Sequence, residues 1–185
     1  MDVEVLTDEQ MHARMVNGWR GGLDDGTKCG GGSTIAATAD ARRWLKGIAE
    51  EYAIESVCDA GAGDLHWQKR IGWQVQYRAF DLIVRSPDVT AFDITKQTLP
   101  RCDAILCRHV LNHLDSTRVA MAIDRFRESA SCYLIATQFD YVVPGDKREF
   151  CQLDLRSLLG SYIEANEDSG PPDSSCKLAI WNLQC

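Results

Sequence analysis

The sequence predicts a single α/β domain with a mostly parallel sheet, helices on both of its faces and an antiparallel C-terminal edge. Three observations predict it. Strand-like and helix-like segments alternate after residue 33, a glycine turn follows the first strand directly, and three successive strand-like segments each end on an aspartate. At 185 residues the chain falls within the size of one domain and can bury a continuous core.

The first 33 residues are polar and rich in glycine (Gly18, Gly21, Gly22, Gly26, Gly30, Gly31, Gly32), which predicts an arm or lid ahead of a domain over residues 34–185. From Ile35 to Tyr52, apolar side chains recur at helical spacing (Ala37, Ala41, Trp44, Leu45, Ile48, Ala49, Tyr52), and Ser33 or Thr34 is placed to cap the first turn. A strand is predicted from Ser56 to Asp59, then the glycine turn to Asp64, a helix from Leu65 to Ile71 and a strand from Gln76 to Asp81. The second round has a short strand at Val89 to Asp93, a stronger one at Ala104 to Cys107, a helix from Ser116 to Glu128 and a strand from Cys132 to Gln138. Only seven residues separate Asp81 from Val89, too few for a full crossover helix, so that unit is expected to be trimmed. Toward the C-terminus, Leu153 to Leu159 reads as helix. Tyr162 to Ala165 and Lys177 to Leu183 read as strands of a hairpin around Gly170-Pro171-Pro172, the expected antiparallel edge.

Hydrophobic residues make up 45% of the chain and charged residues 25%, the composition of an ordinary globular protein. The net charge of −7 argues against stable nucleic-acid binding, which draws on many Lys and Arg contacts to phosphate; the local basic clusters, Arg42-Arg43 with Lys46 and Arg101 with Arg108, read as solvated faces. Every apolar stretch is broken before the roughly 18 residues a membrane span needs, and Met1-Asp2-Val3-Glu4 is not a basic leader, so a cytoplasmic protein with no membrane partner is expected. The eight cysteines include no C-x-x-C pair and several fall in strand-like runs; they read as reduced core thiols, and no metal site is predicted.

The chemistry concentrates in Ser56-Val57-Cys58-Asp59-Ala60-Gly61-Ala62-Gly63-Asp64. A strand ending in an acid and followed by G-x-G lets a ligand approach the backbone, because glycine presents no side chain. Asp81 ends the next strand, where nucleotide-binding sheets place an acid for ribose hydroxyls. Phe92-Asp93-Ile94-Thr95 supplies a third strand-end acid with an apolar neighbour, suited to an adenine amine and ring.

In order along the chain, GGGSTIAATADARRWLKGIAEEYAIESVCDAGAGDLHW, YRAFDLI, FDITKQTLPRCDAILCRHVLNHL and YLIATQFD resemble small class I S-adenosylmethionine-dependent methyltransferases of bacteria and phages. The resemblance covers roughly Gly30 to Asp140, with a fainter echo in Leu153 to Trp181. It implies a Rossmann-like domain with S-adenosyl-L-methionine as cofactor. It implies Asp59, Gly61 and Gly63 on the methionine and ribose side, Asp81 at the ribose hydroxyls, Asp93 with Ile94 at the adenine, and Cys107 and Arg108 beside the methyl group. Two departures stand out: His109 occupies a position that is usually acidic, and the loop after Asp81 is shorter than usual.

Methyl transfer needs alignment of the acceptor and, for some acceptors, removal of a proton. His109 and His113 are the candidate bases; they lie four residues apart, and so share a face if the segment is helical, and His113 is the preferred one. His66 and Trp67 follow the glycine turn and can shield a cofactor, and Gly30-Gly31-Gly32-Ser33 can fold over it as a lid. No [DN]-P-P-[YF] segment supports exocyclic amine methylation of DNA, so the expected acceptor is a small hydroxylated molecule, a sugar or a modified nucleotide. Two alternatives stand beside this reading. One is a non-catalytic S-adenosylmethionine-binding subunit. The other is a nicotinamide-dependent oxidoreductase, which fits less well because the third glycine of G-x-G-x-x-G would fall on His66.

Overall fold

The computed structural model describes residues 25–139, 153–168 and 176–183, together with Ala13. The expected arm glycines 18, 21 and 22 and the Gly170-Pro171-Pro172 turn lie outside the described residues. Seven strands form one sheet: β1 (Ser56–Ala60), β2 (Gln76–Asp81), β3 (Val89–Ala91), β4 (Ala104–Cys107), β5 (Tyr133–Phe139), β6 (Glu164–Glu167) and β7 (Cys176–Asn182). Their order is β3-β2-β1-β4-β5-β7-β6. Strands β1 to β5 pair in parallel, and β7 runs antiparallel to both β5 and β6. The predicted antiparallel hairpin is therefore present, with β6 as its outer strand.

The sheet is covered on both faces, which is why its central strands read as unbroken apolar runs. In β4, Ala104 and Leu106 pack on one side with α1 (Ala39–Glu51), through Ala41, Leu45, Ile48 and Ala49. Ile105 and Cys107 pack on the other side with α2 (Ser116–Glu128), through Val119, Ala122, Ile123 and Phe126. The bounds of α2 agree with the sequence reading, and Asp115 caps it by accepting the Arg118 N–H at 2.9 Å. Helix α1 starts later than Ile35. Thr34 Oγ1 accepts the Ala37 N–H at 3.1 Å and so caps a separate turn that precedes the helix.

One predicted element is corrected. Residues 65–71 contain only a 3-10 turn, Gln68–Arg70; Leu65 (φ +61°) and Gly72 (φ +70°) stand in the left-handed region, through which a right-handed helix does not run, so the helix cannot include Leu65 or pass Gly72. The β1–β2 crossing thus covers its face of the sheet incompletely. A cavity of about 540 Å³ remains, lined by Leu65, Trp73, Tyr77, Arg78, Phe80 and Thr90. As the spacing predicts, no helix lies between β2 and β3. Strand β3 ends before Asp93, whose carboxylate folds back onto Thr95. The C-terminal helix, α3 (Arg156–Leu159), is shorter than predicted and stops at Gly160, φ +75°. Among the described residues no helix is long and apolar enough to cross a membrane.

Candidate functional site

The chain order along the sheet reverses between β1 and β4, and a crevice outside the carboxyl ends of the strands at such a switch point is where open α/β sheets bind ligands. The glycine turn after β1 lies there. Gly61 and Ala62 donate their N–H groups to Phe80 O at 2.8 and 3.0 Å, and Gly63 donates to Asp81 Oδ2 at 2.7 Å. Gly61 (φ +105°) and Gly63 (φ +63°) need glycine for their backbone alone. Space also requires it: a Cβ on Gly61 would lie 2.1 Å from a γ-methyl of Val110, and one on Gly63 would lie 2.5 Å from Cys29 Sγ. On their Cβ sides the two glycines are thus packed by Val110 and Cys29, which hold the segment after β4 and the described end of the arm against the turn.

Asp81 is brought to this turn by the parallel register of β1 and β2. Besides Gly63, it accepts the Ile83 N–H at 2.9 Å, and Arg85 stands 3.9 Å away. Its carboxylate has about four acceptor sites, so two N–H donors leave capacity for further hydrogen bonds. Asp93 accepts both the N–H (2.9 Å) and the hydroxyl (2.6 Å) of Thr95 and pairs with Lys96 at 2.8 Å; Ile94 beside it is buried in the core.

Asp59 is buried within the protein. Tyr77 OH and Gln68 Nε2 both donate to its Oδ2, the latter at 3.0 Å. Burial pushes its pKa up to about 7 against the pull of these two donors. Gln68 Nε2 also donates to Ala62 O at 2.8 Å, so its amide nitrogen faces the turn and its buried Oε1 has no partner among the described residues. Asn112 Oδ1, in the 3-10 turn Leu111–His113 after β4, is a second buried acceptor of this kind. Cys107 is buried among apolar side chains, and burial drives its thiol pKa far up.

The described end of the arm is fastened over the glycine turn. Asp64 accepts the Thr27 hydroxyl at 3.2 Å and the Lys28 N–H at 2.6 Å. Asp25 accepts the Ile35 N–H and stands 3.2 Å from His66 Nε2. Gly31–Ser33 forms a 3-10 turn whose Gly32 carbonyl accepts Arg108 Nη1 at 2.9 Å.

Arg108 turns inward. Its Nε and Nη2 donate to the two oxygens of Asp168, each at 2.8 Å, and its guanidinium carbon lies 5.3 Å from the centre of the Trp67 ring. His109 follows with φ +54°, its N–H donating to Thr137 Oγ1 at 2.8 Å and its Nε2 standing 3.4 Å from Asp168 Oδ2. Ligand-type atoms of His109, Asp168 and Cys176 lie within 4.8 Å of one another, a cluster that cysteine spacing did not foretell. His113 is half-buried, and burial, with His109 adding to it, lowers its pKa to about 4. It is neutral at pH 7 but a weak proton acceptor. Gln68, Tyr77 and Asp168 were not singled out from the sequence. A buried acid in β1 implies donors nearby, which points toward Tyr77 on the adjacent strand; nothing local marks Asp168.

No protein-family model matches the chain, and no curated protein sequence matches it. Solved structures do. The N-methyltransferase NodS from Bradyrhizobium japonicum WM9, in complex with S-adenosyl-l-homocysteine, superimposes with a TM-score of 0.64 at 16% identity, covering 94% of this chain and 96% of that one. Magnesium protoporphyrin IX methyltransferase from Synechocystis PCC 6803, with bound SAM, gives 0.61 at 16% identity over 80% of this chain and 78% of that one. The 1,6-didemethyltoxoflavin-N1-methyltransferase from Burkholderia thailandensis gives 0.59 at 15% identity over 77% of each chain. This chain therefore has the Rossmann-like α/β fold found in these methyltransferases.

Proposed function

We propose that this protein transfers a methyl group from S-adenosylmethionine to a small hydroxylated molecule, a sugar or a modified nucleotide. The observation that carries the reading is the pairing of Asp81 with the Gly61–Gly63 turn at the switch point of the sheet. The chemistry of the donor set fits. The site is rich in acceptors: the Asp81 carboxylate, Asp93, and the buried Gln68 Oε1 and Asn112 Oδ1, which have no partner among the described residues. S-adenosylmethionine is cationic at sulfur and rich in donors, with an amino group, ribose hydroxyls and an adenine amine. When bound it supplies an activated methyl group.

Asp81 would hold the ribose hydroxyls, Asp93 and Ile94 the adenine, and the Gly61–Gly63 turn the methionine and ribose side. Asp59, hydrogen-bonded to Tyr77 and Gln68, fixes the turn from beneath. Cys107 and Arg108 form the wall at the end of β4, with Arg108 acting through its hold on Asp168, Gly32 and Trp67. Of the two histidines the sequence offers, His109 has the carboxylate partner and His113 the lowered basicity.

Calorimetry on the purified chain tests the reading: S-adenosylhomocysteine is expected to bind, and NAD is not. Binding of NAD without S-adenosylhomocysteine would overturn it. If the cofactor binds but no acceptor takes up its labelled methyl group, the chain is instead a binding subunit.

A further inference from the structure

One face of the sheet is covered unequally along its width. Helix α1 packs on β1, β4, β5 and β7 through Val57, Leu106, Ile135 and Ile180. Tyr77 and Ala79 of β2 stand beside Val57 and Asp59 in the parallel register and so present themselves on that same face. There Ala79 and Val89 form a small cluster with Ala62 and Leu65. Neither crossing lays a helix over them: Gln68–Arg70 is a single 3-10 turn, and no helix lies between β2 and β3. The cavity of about 540 Å³ is the result, with Leu65, Trp73, Val75, Tyr77 and Ala79 as its apolar wall. The rings of Trp73 and Tyr77 are half-buried, with centres 6.0 Å apart. Lys69 and Asp88 at its edge pair at 2.9 Å, so their charges cancel and the cavity suits an apolar occupant.

The chain delivers one to its edge. Thr27 and Lys28 bond to Asp64, and Asp25 meets His66, so the arm is fastened on both sides of Leu65, a residue of the cavity wall. Residues 1–24 extend from that point.

Within this segment Met11, Met15 and Trp19 recur at every fourth position, with Val16 beside them, the spacing of one helix face. Ala13 is helical and exposed, and it lies about 200° around a helix from both Met11 and Met15. Its exposure fits a helix whose methionine side is turned inward. Methionine is unbranched and adapts to irregular apolar space, the kind left beside the tilted rings of Trp73 and Tyr77. Gly18, Gly21 and Gly22 give the chain the freedom to turn between this stripe and Asp25.

We propose that residues 1–24 cover this cavity, with the Met11, Met15 and Trp19 side of a helix laid on Trp73 and Tyr77. The segment takes the place that the trimmed β1–β2 and β2–β3 crossings leave open, and completes the layer that α1 begins. These residues are then part of the core. The inference does not depend on the methyltransferase reading.

The test is a nuclear Overhauser spectrum of the full-length protein with ¹³C-labelled methionine methyl groups, of which there are four. Contacts from the methyl groups of Met11 and Met15 to ring protons of Trp73 and Tyr77 are expected. In Met15→Ala the resonances of Leu65, Tyr77 and Thr90 should shift while those of α2 stay in place. Methyl groups at the shifts of free methionine, or contacts to the crevice at Ile83 instead, overturn the proposal, as does a Met15→Ala spectrum unchanged at the cavity. Contacts found only between differently labelled chains mean that a second copy fills the cavity, and they overturn it too. If Met15→Ala does not fold, the wild-type contacts still decide.

Discussion

Replacing Asp59 by Asn should stabilise the protein, and increasingly so as the pH rises. The folded-state pKa of Asp59, about 7, lies above the ordinary 3.8, because burial penalises the charged form more than Tyr77 and Gln68 favour it. The folded state therefore holds a proton that the unfolded state releases. Stability from this group is fully present below 3.8 and is lost as the pH rises through about 7. Each unit corresponds to about 1.36 kcal/mol, so the penalty grows by about 3 kcal/mol between pH 5 and 8 and approaches about 4 kcal/mol above that. Asn keeps an acceptor for the two donors and cannot ionise. For a chain of this size each kcal/mol moves Tm by roughly 2 to 4 °C. Melting curves of both proteins by circular dichroism from pH 5 to 8.5 give the difference directly, free of groups that titrate alike in both. A widening advantage for Asp59→Asn of about 6 to 12 °C across that range is expected. Parallel pH profiles, or a variant less stable at pH 8, would refute the reasoning.

Asp81→Ala should weaken S-adenosylhomocysteine binding by about 1 to 3 kcal/mol in calorimetry, with the circular dichroism spectrum retained; unchanged affinity would make the residue purely structural. Gly61→Ala should cost well over 1 kcal/mol in urea titration, since the new methyl group would stand 2.1 Å from Val110 on a backbone at φ +105°, and a smaller loss would mean that the β4 loop yields readily. His113 carries the opposite pH signature to Asp59: its pKa is lowered from 6.5 to about 4, so stability is present above 6.5 and falls as the pH drops toward 4. His113→Gln should flatten that acid limb in thermal melts; an unchanged limb would mean that burial of the ring carries no such cost.

The features legible in the sequence are those set by local pattern. Val119, Ala122, Ile123 and Phe126 recur at helical spacing behind a capping Asp115, and α2 has the predicted bounds. The glycine turn and Asp81 stand at the ends of strands as expected, whereas β3 stops at Ala91 and Asp93 lies beyond it, turned onto Thr95. What failed was local too: the apolar residues Leu65, Trp67 and Ile71 suggested a helix, but Leu65 has a left-handed backbone and the segment forms only the 3-10 turn Gln68–Arg70. The partners of the site were illegible for a different reason. Arg108 meets Asp168 across 60 residues of sequence, and only the order of strands brings them together. The preference for His113 over His109 comes from the family pattern, which His109 does not keep, and such a pattern carries no information on burial.

The Arg108 guanidinium joins four segments that are far apart along the chain: the turn at Gly32, the ring of Trp67, the end of β4 and Asp168 beyond β6. Such a hub couples events that would otherwise be independent. When the arm lifts from the glycine turn, Arg108 loses one acceptor, and when the β6–β7 hairpin loosens it loses its counter-ion. Either way the remaining contacts must hold a buried charge with less compensation. The arm and the hairpin should therefore open as one cooperative unit in amide exchange, so that access to the end of β4 is a two-state event.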